Sequence, residues 1–336
     1  MRYVRTEHLE KGMVIAYTLY DSCENILLKA NKKLTQQYIN RIQQMEIPGL
    51  YVFEDDDIEA HAPIVSETTR IRAIKSLKKL NIDECIFVAN AIVDEIRECE
   101  SIVIETMRLS SYDNYTYAHS VNVDIYAVVL GIALGLTDDE LRKLSQAAIL
   151  HDIGKTCLPV EVLNKPGKLT PEEYEEVQRH CRYGYNLLKN NPDISSVTRN
   201  AILSHHENED GSGYPRSLMP DKIHKFAKII HIADVYDALT TKRVYKEAMN
   251  PADALEYLMA QADIQFNKEM VATFLQYIAP YPLGVTVELS NGKPAVVVQN
   301  NRDMLSRPKV RLFDGTIINL MDCLDITVTK LLTTFN

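Results

Sequence analysis

The stretch HHENEDGSGYP, from His205 to Pro215, sets two adjacent imidazoles at the head of a short glycine-bearing loop that ends in an aromatic and a proline. A second stretch, HDIGK from His151 to Lys155, adds another imidazole beside a carboxylate. Imidazoles and carboxylates are donors that hold divalent transition metals, and an aromatic raised on a tight turn offers a flat face to a planar ligand. The two stretches together predict a metal site with a substrate platform beside it.

Around them, apolar residues recur at helical spacing. Leu141, Leu144, Ala148 and His151 stand at i, i+3, i+7 and i+10, and Ile223, Ala227, Ile230, Asp234 and Asp237 continue a second stripe in the same way. His119 opens a helix whose inward stripe is Val121, Ile125, Val128 and Ile132; His180 follows Val177 by one turn; His205 and His206 end the helix bearing Ile194, Val197 and Ala201. Five helices thus aim imidazoles or carboxylates at one interior. Each unpaired buried polar group costs about 1 to 3 kcal/mol, and each charge more. Divalent ions offer the compensation, with iron, manganese, zinc and nickel all suited to this donor set, and helical bundles are a common frame for paired sites. A lone interior histidine is more often a satisfied core residue, and His8, His61, His224 and His231 are read that way.

Outward from this region the patterning changes twice. Residues from about Tyr112 to Ala279 read as successive helices, two of them opened by capping boxes at Thr137 to Glu140 and Thr170 to Glu173, with Pro171 at the favoured first position. The first 60 residues alternate like a small sheet-bearing domain, with strands near Met13–Ile15, Ile26–Leu28 and Leu50–Phe53 and a helix near Thr35–Met45. The acidic run Glu54–Asp57 reads as a solvated boundary, and Ser66 to about Leu109 as helical, able to transmit a signal, to dimerise or simply to pack on the next domain. From Val285 onward, β-rich runs are joined by Asn291-Gly292 and Asp314-Gly315, which are hairpin signals. The expected organisation is a small α+β domain over 1–62, a helical linker over 63–110, a catalytic helical domain over 111–283 and a β appendage over 284–336.

Composition bounds the partners. A net charge of -9 without a Lys/Arg-dense run argues against wrapping a nucleic-acid polymer, though it leaves room for a local cationic pocket. The six cysteines, Cys23, Cys85, Cys99, Cys157, Cys181 and Cys323, lack CxxC spacing, which suits reduced thiols in the cytoplasm rather than a disulfide framework. The N-terminus has no signal-peptide core, and the apolar segment Val121–Leu136 is broken by Asp124 and shorter than the roughly 20 residues of a membrane span, so no membrane insertion is expected.

His151-Asp152 with Gly154-Lys155, the run His205 to Pro215, and ADVYDALTTKRVYK from Ala233 to Lys246 resemble the HD-GYP family of bacterial cyclic di-GMP phosphodiesterases, within the HD superfamily of phosphohydrolases. The resemblance covers about residues 111 to 280 and implies a mainly α, HD-type helical bundle, flanked here by the small α+β domain and a short β-hairpin appendage. It implies metal ligation by His119, His151, Asp152, His180, His205, His206 and Asp234, with Asp152 bridging two ions. One ion would be held by His119, His151 and Asp234, the other by His180, His205 and His206. Two ions about 3.5 to 4 Å apart can hold a bridging hydroxide for attack on phosphorus. Iron is the implied metal, with manganese the alternative. Lys155 is similar to the family lysine that faces the metal-bound solvent and phosphate. Tyr214 on Gly213 would stack on a guanine, and Arg243, Lys246, Asp113 and Asp237 match positions that contact nucleotide. Glu207 and Asp210 would orient the histidines and the loop.

The sequence departs from the family pattern in two places. Where some members carry a glutamate that binds a third metal, this chain has Tyr115, and Val244 stands where a proline commonly follows the arginine. A two-metal enzyme hydrolysing cyclic di-GMP to pGpG, and further to GMP in some circumstances, is the expectation. The alternatives are a phosphodiesterase for another cyclic dinucleotide such as 3′,3′-cyclic GMP-AMP, and a non-hydrolytic cyclic di-GMP sensor that engages a protein partner through the GYP loop. The helices before the catalytic region are compatible with a homodimer.

Overall fold

The computed structural model describes residues 2–20, 26–45, 47, 49–53, 64–99, 102–105, 115–163, 165, 167–241 and 248–332. The chain forms two compact units: one takes Pro63–Ile104 and Arg108–Ile278, the other Met1–Ala62, Glu105–Met107 and Ala279–Asn336.

In the smaller unit, β1 (Arg2–Arg5), β2 (Val14–Ile15) and β5 (Gly49–Phe53) form an antiparallel sheet in the order β1-β5-β2, and β3 (Leu19–Tyr20) pairs with β4 (Ile26–Leu28). Helix α1 (Gln36–Gln44) starts at Thr35, whose side chain accepts from the Tyr38 amide, and buries Ile39 and Ile42 in a core with Val4, Ile15, Leu34 and Val52. Strand β1 is the element that alternation in the sequence does not announce, since RYVR is polar and its pairing with β5 comes from elsewhere in the chain.

The larger unit is helical. Helices α2 (Glu67–Lys78), α3 (Ile82–Arg97), α4 (Tyr115–Ala133), α5 (Asp138–Leu150), α6 (Val160–Leu163), α7 (Pro171–Gln178), α8 (His180–Leu188), α9 (Ser196–Ser204), α10 (Lys225–Thr240), α11 (Pro251–Ala260) and α12 (Lys268–Leu275) follow in order. Both anticipated capping boxes are present, and they fix where α5 and α7 begin. Helix α4 is apolar nearly all round, which suits its central place: Val121, Ile125, Val128 and Leu130 are fully or almost fully buried, and it packs against α2, α3, α5, α10 and α12. The helical stretch before it is interrupted at Leu80, which takes a left-handed φ of 51°, before Asn81 caps α3. Residues of α2 and α3 such as Ile74, Val88, Ile92 and Ile96 share one continuous core with α4, α5 and α10.

Strands β6 (Ile104–Glu105) and β7 (Ile278–Ala279) fall where the chain passes from one unit to the other. The tail builds β8 (Thr286–Leu289), β9 (Pro294–Gln299), β10 (Lys309–Leu312), β11 (Ile317–Asn319) and β12 (Val328–Leu331) into one antiparallel sheet, ordered β11-β10-β9-β8-β12. The two expected turns join β8 to β9 and β10 to β11, with Gly292 and Gly315 at φ of 77° and 89°. The appendage is thus larger than a hairpin, because β12 returns to pair with β8. None of the described helices is long and apolar enough to cross a membrane.

Candidate metal centre

Three helix ends place the imidazoles. The last carbonyls of a helix have no full set of helical donors, and in α5, α7 and α9 an imidazole takes one of them. His151 Nδ1 lies 2.7 Å from the Ala148 carbonyl, His180 Nδ1 2.7 Å from that of Val177, and His205 Nδ1 2.7 Å from that of Ile202. Each ring is thereby held by one nitrogen while Nε2 faces the interior, the arrangement that metal-ligating histidines adopt. His119, near the start of α4, uses a carboxylate instead: its Nδ1 lies 2.6 Å from Asp237 Oδ2 on α10.

The free faces converge. His119 Nε2 is 3.0 Å from Asp234 Oδ1 and 3.9 Å from Asp152 Oδ2. Asp152 Oδ2 is also 3.3 Å from His151 Nε2, and its Oδ1 is 3.5 Å from His180 Nε2. His180 and His205 approach Nε2 to Nε2 at 3.3 Å, and His206 Nδ1 is 3.8 Å from Asp234 Oδ2. Sets drawn from these residues, among them His119 with His151 and Asp152, and His180 with His205 and His206, bring donor atoms within 4.8 Å of one another and can hold a metal ion.

Such crowding fits an ion better than a metal-free core. His151 Nε2 and Asp152 Oδ1 are buried and have no hydrogen-bond partner, although native interiors rarely leave such atoms unsatisfied. Gly154 permits the approach: a Cβ there would stand 1.9 Å from the His180 carbonyl oxygen, so only glycine lets the turn after Asp152 lie against α8. Protonation states agree. Burial, reinforced by neighbouring histidines, holds His205 and His206 well below the usual imidazole value, so their lone pairs are available. Burial opposes ionisation of Asp152 and Asp234, yet Lys155 and His151 around the first, and His119 beside the second, outweigh it and keep both carboxylates charged. Burial likewise disfavours a charged His119, but Asp234 and Asp237 raise it to about 9. Lys155 Nζ sits 2.5 Å from Asp152 Oδ2.

The loop after His206 is fastened to the same backbone. Glu207, 2% exposed, accepts from the Arg216 amide at 2.9 Å and the Leu218 amide at 2.8 Å. A Cβ on Gly213 would stand 2.3 Å from the Asn208 nitrogen, and the Tyr214 amide donates to the His206 carbonyl at 3.1 Å. The Tyr214 ring lies over that of His206, with centroids 4.7 Å apart and planes 32° from parallel. A cavity of about 1090 Å³ opens here, with Arg179, Arg182, His206, Tyr214 and His231 among its walls.

All seven expected metal-ligating residues therefore meet in one place, with Lys155 and Tyr214 beside them. Four further expected residues lie among those described. Asp237 is 1% exposed, and its oxygens are engaged by His119 and Asn122. Gly213 is buried where the returning backbone lies close on residues 206 to 208. The Glu207 carboxylate and Asp210 engage loop amides, Asp210 accepting from that of Ser212 at 2.9 Å. Asp113, Arg243 and Lys246 lie outside the described residues, as does Val244. Two residues near the centre have no precedent in the motif reading. His231, which donates toward the Glu207 carbonyl at 2.9 Å, lines the cavity one turn before Asp234, and Cys181 places Sγ 3.4 Å from His180 Nε2.

A family model described as an HD domain matches residues 104–270. A cyclic di-GMP phosphodiesterase of Thermotoga maritima is 30% identical over 271 residues, 79% of this chain and 71% of that one. One from Pseudomonas aeruginosa is 34% identical over 259 residues, 75% of this chain and 62% of its own length, so the chain spans about three fifths of that relative. A Vibrio cholerae phosphodiesterase described as specific for 3′3′-cGAMP is 37% identical over 163 residues, 48% of this chain and 31% of that one. With these matches and the histidine–aspartate cluster joined to its GYP loop, the chain belongs to the HD-GYP family of HD-domain proteins.

Proposed function

We propose that this protein is a metal-dependent phosphodiesterase that opens cyclic di-GMP to linear pGpG. The observation that carries the reading is the convergence of seven histidine and aspartate side chains, two with unpartnered buried atoms, at the edge of a cavity walled by Tyr214. The names of the relatives from Thermotoga and Pseudomonas support the substrate.

Two divalent ions, iron first and manganese second, would be held by His119, His151 and Asp234 on one side and by His180, His205 and His206 on the other, with Asp152 between. Bound there, such ions supply Lewis acidity that polarises a phosphoryl oxygen and makes water a competent nucleophile at neutral pH. The chain's own groups do the rest. Their anchored Nδ1 atoms keep the imidazoles of His151, His180 and His205 pointed inward. Lys155, adjacent to Asp152, offers its ammonium to a phosphate oxygen. Tyr214 gives a guanine a face to stack on, a contact of about 1 to 3 kcal/mol in related systems. Water oxygen bonds to phosphorus, the bond to the ribose 3′ oxygen breaks, and that oxygen leaves with a proton. The described cysteines are all free thiols, which supports a cytoplasmic setting.

The test is incubation of anaerobically purified protein, loaded with Fe(II) or Mn(II), with cyclic di-GMP, followed by separation of products. Linear pGpG is expected; no linear product with either metal refutes the proposal. The Vibrio relative gives 3′,3′-cyclic GMP-AMP specific standing as the competing substrate. Turnover of the two dinucleotides side by side decides between them.

A further inference from the structure

Helix α2 carries none of the recognised motifs, yet it reaches the metal cluster through an unbroken series of polar contacts. Arg70 Nη2 donates to Asn122 Oδ1 at 2.7 Å, and Asn122 Nδ2 donates to Asp237 Oδ1 at 2.8 Å. The other Asp237 oxygen is 2.6 Å from His119 Nδ1, and His119 Nε2 at the far end of the ring is 3.0 Å from Asp234 Oδ1. The intervening groups are sealed from water: Asn122 and Asp237 are 1% exposed and His119 4%.

The direction of this series depends on its outer end. An amide has an accepting oxygen and a donating nitrogen, and either can be turned to a neighbour. Asn122 turns its nitrogen to Asp237 because a donor, Arg70, claims its oxygen on the other side. Without that donor the amide can rotate and set oxygen against carboxylate. Asp237 would then lose the partner that fixes one of its oxygens, while the other oxygen fixes the His119 ring. Arg70 also places a positive charge near the buried carboxylate. Although burial lowers its pKa to about 10, it remains charged at neutral pH.

We propose that Arg70 is a positioning residue for the metal ligand His119, acting through Asn122 and Asp237, so that the helix preceding the motif-bearing region is part of the metal centre. The inference rests on the metal-centre reading above. A purely structural role, stapling α2 to α4, makes a different prediction, and metal binding separates the two.

The experiment titrates full-length, metal-free wild type, Arg70→Met, Asn122→Ala and the double variant with Mn²⁺ by calorimetry, and melts each without metal. Outer-sphere partners of metal-bound histidines typically contribute 10- to 100-fold in affinity, and Arg70 acts through two further groups. A loss of about tenfold is therefore expected for Arg70→Met, with Asn122→Ala losing a similar amount and the double variant no more than the larger single loss. Arg70→Lys, which keeps a charged donor, recovers most of the affinity. A staple would lower the metal-free melting temperature and leave Mn²⁺ affinity unchanged; that result, or losses that sum in the double variant, overturns the inference. Should Arg70→Met fail to fold, Asn122→Ala cuts the same series in the middle and decides alone. If wild type binds no Mn²⁺, the metal-centre reading itself fails, an outcome distinct from equal binding by wild type and variants.

Discussion

Glu207→Gln isolates what holds the recognition loop in place. The Glu207 carboxylate is 2% exposed and receives two backbone donors, the amides of Arg216 at 2.9 Å and Leu218 at 2.8 Å. Glutamine has nearly the same shape but only one accepting oxygen, so its NH₂ must face one of the two amides. One hydrogen bond to a charged acceptor, about 1.5 to 3 kcal/mol, is exchanged for a donor set against a donor. Arg216 is an exposed residue, and water can recover part of the loss at its amide, so a local destabilisation of about 1 to 3 kcal/mol is expected. At about 1.4 kcal/mol per factor of ten, the loop opens roughly 5- to 150-fold more often. Amide hydrogen exchange at residues 213 to 218 reads this directly and does not depend on any activity. Because Glu207 touches none of the imidazoles through its carboxylate, metal content is expected to stay at the wild-type level, and KM for cyclic di-GMP to rise more than kcat falls. Unchanged exchange at Arg216 and Leu218, or loss of bound metal with the loop intact, would refute the reasoning.

Gly213→Ala forces a methyl to within 2.3 Å of the Asn208 nitrogen and 2.5 Å of the His206 carbonyl oxygen, neither of which is free to swing aside. The loop must lift, and a loss of nucleotide binding of tenfold or more is expected in equilibrium titration. Chelation leaves the donors of a crowded buried cluster unpaired; returning Mn²⁺ at about 100 times its Kd adds about 2.7 kcal/mol of stability, measured as a rise in melting temperature of the helical unit. The metal-free protein should be most stable near pH 6.5, for two opposite reasons. Folded His205 and His206 have depressed values, so the unfolded chain binds more protons below about 6.5 and stability falls as pH drops through that range. His119 is raised to about 9, so its contribution is complete below about 6.5 and disappears as pH climbs through 9. Urea midpoints measured against pH test both limbs, and a flat profile from pH 6.5 to 9 would contradict the His119 assignment.

The expected ligand set comes from the motifs His151-Asp152 and His205 to Pro215 and their family resemblance, while the apolar stripes place some of its members inward: His151 completes Leu141, Leu144 and Ala148, and Asp234 follows Ala227 and Ile230. Spacing along one helix says which face a residue occupies but not what crosses that face. Asp237 is on the correct stripe, yet its partners His119 and Asn122 stand 118 and 115 residues earlier, and only the packing of α10 on α4 brings them to it. Arg70 is less visible still, since an arginine in a polar first turn reads as solvated until its contact 52 residues away is known. His231 obeys the same rule in reverse: its buried, apolar setting suggests an ordinary core histidine, and its place in the cavity wall follows from the loop that folds over it. The break at Leu80 has no glycine or proline to announce it; α2 closes where Leu80 turns left-handed and the Asn81 amide reaches back to the Ser76 carbonyl at 3.0 Å, and Asn81 then starts α3 by accepting from the Glu84 amide. The β appendage is readable where turns are local, at Asn291-Gly292 and Asp314-Gly315. It is not readable where β12 returns to β8, a register set by side chains far apart in the chain.

The segment from His206 to Leu218 ties one of the clustered imidazoles to the aromatic of the loop. His206 turns its ring toward the histidine–aspartate cluster, with Nδ1 3.8 Å from Asp234 Oδ2, while its carbonyl accepts from the Tyr214 amide and its ring lies under that of Tyr214, the planes 32° from parallel. The next residue, Glu207, anchors the far side of the loop, and Gly213 lets the returning backbone lie directly on residues 206 to 208. On the proposed function, the side chain that would hold a metal ion and the side chain that would hold a base belong to one short hydrogen-bonded segment, so that binding energy gained at the base could be applied at the phosphate. His119 is supported through Asp237, Asn122 and Arg70, while α10, which carries Asp234, reaches the loop through His231 at the Glu207 carbonyl and Lys228 at Glu209. The cluster is thus tied to the loop through His206 and His231 and to α2 through His119, so the proposed metal centre would answer to both.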